Sequence, residues 1–98
     1  MLTKTEALEI LSKELRQRCS PEDPFIVIDE YTIEKPFGWV FFYNSKKFLE
    51  TGLFQDRLFG NGPVIVNKAS GTVEFLGSCK PPEDIIEDYE RRLAKKSD

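Results

Sequence analysis

The segment 25–43, FIVIDEYTIEKPFGWVFFY, decides how this chain folds. Residues 25–34 are rich in β-branched and aromatic side chains and predict a strand. Residues 39–43 predict a second strand for the same reason. Between them, Pro36 fixes φ and Gly38 allows positive φ, so residues 35–38 predict a tight turn. The segment is therefore predicted to form an antiparallel β-hairpin.

The pairing of the two strands sorts this hairpin into two sides. We expect Glu34 to pair with Trp39 across the turn, with successive residues pointing to opposite sides from there. One side then carries Tyr31, Ile33, Val40 and Phe42. The other side carries Glu30, Thr32, Glu34, Trp39, Phe41 and Tyr43. The first side is apolar and is expected to face the helices, whereas the second is expected to be open.

The second side of the hairpin mixes large aromatic rings with carboxylates. Aromatic residues are enriched in protein interfaces, and carboxylates steer a basic partner. This pattern predicts partner-binding residues at Glu30, Glu34, Trp39, Phe41 and Tyr43. The alternative is that Trp39 and Phe41 are core residues covered by the connection 53–62, whose own apolar side chains need something to pack on.

The remaining segments predict a further hairpin and two terminal helices. Residues 64–66 and 72–76 are rich in β-formers, and pairing Asn67 with Thr72 places Val64, Val66, Val73 and Phe75 on one side. Residues 3–18 follow a capping box of Thr3 and Glu6 and place Leu8, Leu11 and Leu15 at helical spacing. Residues 82–95 also predict a helix, because Ile85, Ile86, Tyr89 and Leu93 lie at helical spacing. Residues 45–51 fit either a bulged strand or a helical turn closed by Gly52.

The order helix, hairpin, long connection, hairpin, helix predicts an α+β fold. Its economical form is a mostly antiparallel four-stranded sheet with the N- and C-terminal helices packed on one face. The 98 residues are expected to form a single domain, 1–98, because the chain is far shorter than the length at which domains split.

Composition narrows the function. The chain has no histidine and two cysteines, which excludes histidine-based triads and most zinc sites. We therefore expect a protein that is not an enzyme and binds no cofactor or metal. The net charge of −3 argues against nucleic acid and membrane as partners. No signal peptide is visible, so the expected location is the cytoplasm, with Cys19 and Cys79 reduced.

The start of the last helix is strongly acidic. Residues 83–90 contain Asp84, Glu87 and Asp88, which we predict as a second partner-binding surface. The alternative is that acids near a helix start and bases near its end simply suit the helix macrodipole.

An ordered set of short motifs resembles a known family. The set runs through Gly38-Trp39, Phe48-Leu49-Glu50-Thr51-Gly52, Leu58-Phe59-Gly60-Asn61-Gly62-Pro63, Val66-Asn67-Lys68 with Ser70-Gly71, Leu76-Gly77, and Pro82-Glu83 with Tyr89-Glu90. It resembles the YrhB-like family of small bacterial proteins, also classed as immunity-protein family thirty-five of polymorphic toxin systems. One departure is Asn67, where such a motif is expected to carry an acidic residue.

The resemblance implies a cytoplasmic protein that binds and neutralises a cognate toxin encoded next door, as a monomer or dimer. It also implies an alternative, a heat-stable, chaperone-like holdase. A third hypothesis, a small enzyme using paired carboxylates, would need several acids converging in a cleft.

Overall fold

A computed structural model describes residues 1–19, 21–53, 62–77 and 80–96 of the chain. Its elements follow the order of the sequence. They are α1 (Lys4–Arg18), β1 (Phe25–Val27), a 3₁₀ turn (Asp29–Tyr31), β2 (Ile33–Lys35), β3 (Gly38–Phe41), β4 (Tyr43–Ser45), α2 (Lys46–Thr51), β5 (Val64–Asn67), β6 (Val73–Phe75) and α3 (Pro82–Lys96). The α+β class and the four-stranded antiparallel sheet between terminal helices are confirmed.

Helix α1 begins at the capping box that the sequence predicts. The Thr3 hydroxyl accepts a hydrogen bond from the Glu6 amide at 3.2 Å, and the Glu6 carboxylate accepts one from the Thr3 amide at 3.0 Å. These bonds satisfy two amide donors that no helical carbonyl reaches. The predicted stripe is buried at Leu11 and Leu15, together with Ala7.

The main sheet has the strand order β2-β3-β5-β6, and all neighbours are antiparallel. The predicted register of the first hairpin is confirmed, because Glu34 lies opposite Trp39 and Ile33 opposite Val40. The second hairpin is also in the predicted register, since the Asn67 amide donates to the Thr72 carbonyl at 3.0 Å. Hydrophobic alternation and turn length together were enough to set both registers.

The turn at Asn67 explains why asparagine can replace the acidic residue that the motif is expected to carry at this position. The side-chain oxygen of Asn67 accepts hydrogen bonds from the amides of Ala69 and Ser70, at 2.9 and 3.1 Å. An asparagine oxygen serves this turn as an aspartate oxygen would. The local role of this residue therefore does not require a charge.

The first hairpin is interrupted by the 3₁₀ turn. Strands β1 and β4 form their own two-stranded sheet, with Phe25 opposite Ser45, and the Ile28 amide donates to the Phe42 carbonyl at 2.8 Å. Beyond Ile28, the three residues Asp29–Tyr31 leave the ladder, and pairing resumes at Ile33. The prediction that Tyr31 faces Phe42 across the hairpin is therefore wrong. Consecutive acids are poor strand formers, and the extra residues are accommodated as a bulge.

The two terminal helices lie on opposite faces of the main sheet. Helix α1 packs on the side of Trp39, Phe41, Val64 and Val66. Helix α3 packs on the side of Val40 and Ile65, through Ile86 and Tyr89. The expectation that both helices share one face is wrong. The physical reason is that the inner strands β3 and β5 are apolar on both sides, and a single helical layer cannot cover both.

Residues 46–51 form a helix and not a strand extension. The Ser45 hydroxyl accepts from the Phe48 amide at 3.1 Å, and the Asp23 carboxylate accepts from the Lys47 amide at 2.9 Å. The helix ends at Gly52, whose φ of 69° is left-handed. Residues 54–61, which include most of the connection predicted to cover the aromatic side, lie outside the described residues, as does Cys79.

Candidate partner-binding surface

Two aromatic residues of the predicted binding face are core residues. Trp39 is 4% exposed and Phe41 is fully buried. Both belong to the cluster that α1 covers with Ala7, Leu11 and Leu15. The expected open face is therefore wrong, and the alternative is confirmed in that both residues are buried. Helix α1, which was expected on the other side of the hairpin, covers them. The connection that the alternative named as their cover lies mostly outside the described residues.

Tyr43 is half-buried at the end of the same cluster. Its ring lies 5.5 Å from that of Phe25 and 6.2 Å from that of Phe75, centroid to centroid. Burial raises the pKa of the Tyr43 phenol, and the Arg18 guanidinium partly opposes that rise. Arg18 itself lies over the Phe75 ring at 3.8 Å. Tyr43 thus joins the two sheets and presents only part of its ring to the surface.

Glu30 and Glu34 are exposed, but on different elements. Glu34 lies on the edge strand β2, opposite Trp39. Glu30 lies in the 3₁₀ turn, next to Asp29, whose carboxylate pairs with Lys4 at 3.0 Å. This ion pair ties the turn to the start of α1.

The acids of α3 divide into paired and unpaired groups. Asp88 contacts both Lys80, at 2.8 Å, and Arg91, and hydrogen bonds from these two cations lower the pKa of its carboxyl group. Asp84 and Glu87 are exposed and form no ion pair with any described residue. Of the three predicted acids, Asp88 is therefore already neutralised locally, whereas Asp84 and Glu87 are available to a partner.

A cleft of about 300 Å³ opens between the 3₁₀ turn and the start of α3. Its lining is mainly aromatic and aliphatic, and consists of Ile28, Tyr31, Phe42, Tyr43, Asn44, Gly62, Pro63, Lys80, Pro82 and Ile85. Two lining residues, Tyr31 and Ile85, directly follow the predicted acids Glu30 and Asp84 in the chain, so the cleft brings together the segments that carry these acids. Glu34 and Glu87 are not next to lining residues in the chain.

Sequence reasoning missed Tyr31 as a surface residue. Its side chain is 61% exposed, although it was predicted to lie on the apolar side of the hairpin. The signal that could have found it is the pair Asp29-Glu30 in the middle of a predicted strand, since acids are depleted in strands. Two consecutive acids there indicate a bulge that turns the next side chain outward.

The described residues contain no group of three or more cysteine, aspartate or glutamate side chains placed to hold a metal ion. Within the same residues, no helix has the length and apolar character needed to cross a bilayer.

These features define a class of small α+β protein, in which an antiparallel sheet lies between two terminal helices and a cleft opens beside the start of the last helix. The chain belongs to the immunity protein 35 family, whose model matches residues 5–91. It is also 46% identical over 57 residues to a protein of Escherichia coli strain K12 named "Uncharacterized protein YrhB". That alignment spans 58% of this chain and 61% of the relative. No solved structure gives a significant match.

Proposed function

We propose that this protein neutralises a bacterial toxin domain by binding it, without catalysis. The observation that carries the proposal is the family match, which extends over residues 5–91 and so includes nearly all of the fold. Immunity proteins act through surface complementarity, and that role needs no catalytic group. It suits a chain without histidine.

The surface charge supports a basic partner. The chain has a net charge of −3, and Glu30, Asp84 and Glu87 are exposed without an ion pair in the described part of the chain. Unpaired carboxylates raise the rate of encounter with a positively charged surface. We place the complex in the cytoplasm of the producing cell, where the toxin would otherwise act on its own host.

Co-expression with the product of the adjacent gene tests the proposal. We expect the full chain to restore growth to cells that produce this toxin, and the two purified proteins to form a one-to-one complex with a dissociation constant below micromolar. An unrelated acidic protein of the same size is the control. Absence of both rescue and association at micromolar concentration contradicts the proposal.

The alternative function is a holdase, which requires exposed apolar surface. The side of the first hairpin that carries Trp39 and Phe41 could have supplied such a surface, but α1 covers it, while Tyr31, Leu49 and Leu53 remain exposed. Suppression of the aggregation of unrelated heat-denatured clients at near-stoichiometric ratios would favour the holdase. Protection no better than that of the acidic control protein would exclude it.

A further inference from the structure

The cleft between the 3₁₀ turn and α3 combines apolar lining residues with acidic residues next to them in the chain. The apolar side chains of Ile28, Phe42 and Ile85 are among its lining residues, and we call them its floor. None of these lining residues is acidic, but three acids adjoin them in the chain, because Glu30 precedes Tyr31, and Glu83 and Asp84 lie between Pro82 and Ile85. We call these three acids the rim. An apolar floor with an acidic rim suits a side chain that is aliphatic along its stem and cationic at its end.

The charges at the rim are not neutralised within the described residues. Glu30, Glu83 and Asp84 are exposed and have no ion pair there, whereas Asp29 is held by Lys4 at 3.0 Å. The one cation among the lining residues, Lys80, is engaged by Asp88 at 2.8 Å. The field at the rim is therefore negative, which attracts a cationic occupant and repels an anionic one.

Tyr31 is the aromatic group best placed to anchor an occupant. It is 61% exposed and lines the cleft, and it is held out of the ladder by the bulge. Exposed tyrosines are enriched among the residues that dominate binding energies. A guanidinium stacks on such a ring and pairs with a neighbouring carboxylate at the same time, which an ammonium does less well.

We propose that this cleft is the docking site for the toxin and that it receives an arginine side chain from a basic segment of that toxin. The inference rests on the proposed function, which it deepens by naming the site and the chemistry of its occupant. A cleft of about 300 Å³ is at the lower limit of small-molecule pockets, so it suits one side chain better than a separate ligand. The aliphatic part of the arginine side chain contacts the floor, and its guanidinium group pairs with the acids of the rim.

The test compares binding of the adjacent-gene toxin domain to the wild-type chain and to two cleft variants. Tyr31→Ala removes the aromatic anchor, and we expect the dissociation constant to rise about tenfold or more, as for the loss of a central interface tyrosine. Glu30→Gln with Asp84→Asn removes the rim charge, and we expect slower association and a weaker dependence on salt. Matched controls are Leu49→Ala on α2 and Glu9→Gln on α1, which change exposed residues outside the cleft and should bind like the wild type.

The possible outcomes separate the site from the function. Melting temperatures close to that of the wild type establish that the variants fold, as expected for exposed side chains. If the wild-type chain binds the toxin and both cleft variants bind equally well, the docking site is wrong and the immunity function stands. If the wild-type chain does not bind, the proposed function fails and the docking site fails with it. Weakened binding by the cleft variants alone supports both.

Discussion

The two faces of the main sheet differ in how they are covered. Among the described residues, the α1 face has a cluster of seven buried apolar side chains, which includes Trp39 and Phe41. The α3 face has a cluster of four, among them Ile86 and Tyr89. Helix α3 is tied down further by exposed ion pairs, from Glu90 to Lys35 on β2 and from Arg92 to Glu74 on β6.

The two faces of the sheet are therefore stabilised by different interactions. Among the described residues, the α1 face has the larger buried apolar cluster and therefore supplies the larger hydrophobic stabilisation, because burial of apolar area is the dominant favourable term in folding. The α3 face is held by a smaller core and by surface ion pairs, which contribute little each. The cleft proposed for docking lies beside the start of α3, and its lining residue Phe42 packs against the smaller cluster.

The largest expected effect is the loss of Phe41 from the α1 face. Phe41→Ala leaves a cavity at a fully buried position, and we expect the free energy of unfolding to fall by about 3–5 kcal/mol. Urea denaturation followed by the fluorescence of Trp39, the single tryptophan, measures it. Phe41→Leu is the milder companion if the alanine variant does not fold. A loss below about 1 kcal/mol for the alanine variant would show that α1 does not cover the principal core.

A matched pair of helix substitutions compares the faces directly. Leu11→Ala on α1 and Ile86→Ala on α3 remove the same number of carbon atoms from buried sites. We expect losses of about 3–4 kcal/mol for Leu11→Ala and about 2–3 kcal/mol for Ile86→Ala, since Leu11 lies in the larger cluster. Chemical denaturation measures both. An equal or larger loss at Ile86 would overturn the ranking of the two faces.

The sequence predicts those features of the fold that depend on residues close together in the chain, and it does not predict those that depend on contacts between distant segments. Local signals sufficed for the capping box at Thr3, for both hairpin registers and for the bounds of the terminal helices. The side on which α1 packs is set by a long-range choice between two apolar sides of the same strands, and strand alternation cannot distinguish them. For that reason the sequence leaves two positions open for Trp39 and Phe41, an open binding face and the core.

The candidate site divides in the same way. The sequence identified Glu30 and Asp84 as candidates from their residue type, but not the cleft that they border. That cleft depends on the bulge at Asp29–Tyr31 and on where α3 begins relative to it. The periodic pattern of apolar residues in the sequence predicts neither the bulge nor the position of α3 relative to it. The binding roles of the exposed acids stay a prediction.

A glycine substitution tests how closely β3 and β5 must approach each other in the sheet that carries both faces. Gly38 has a φ of 153°, and a Cβ atom there would lie 2.0 Å from the Val66 carbonyl oxygen on β5. Gly38→Ala therefore forces β3 and β5 apart, and we expect it to lower the free energy of unfolding by about 2–3 kcal/mol. Gly52→Ala is the control, since its φ is also positive but no atom of the described residues lies within 4 Å of the added Cβ, and a loss of about 1 kcal/mol is expected. Thermal unfolding ranks the two, and equal losses would mean that the close approach to β5 is unimportant.

The smallest expected effect concerns the ion pairs beside α3. Hydrogen bonds from Lys80 and Arg91 lower the pKa of the Asp88 carboxyl group below its ordinary value, so the folded state favours its carboxylate. The stabilisation is therefore present above the unfolded pKa and is lost as the pH falls through the lower folded value. The stability difference between the wild type and Asp88→Asn should be constant near neutral pH and shrink below about pH 4. An NMR titration should place the Asp88 midpoint below the ordinary value of an aspartate and show it rising in Lys80→Met, but unchanged in Lys46→Met, which removes a cation from α2. A midpoint that does not respond to Lys80 would mean that Lys80 does not stabilise the Asp88 carboxylate, and that this ion pair contributes nothing to the stability of α3.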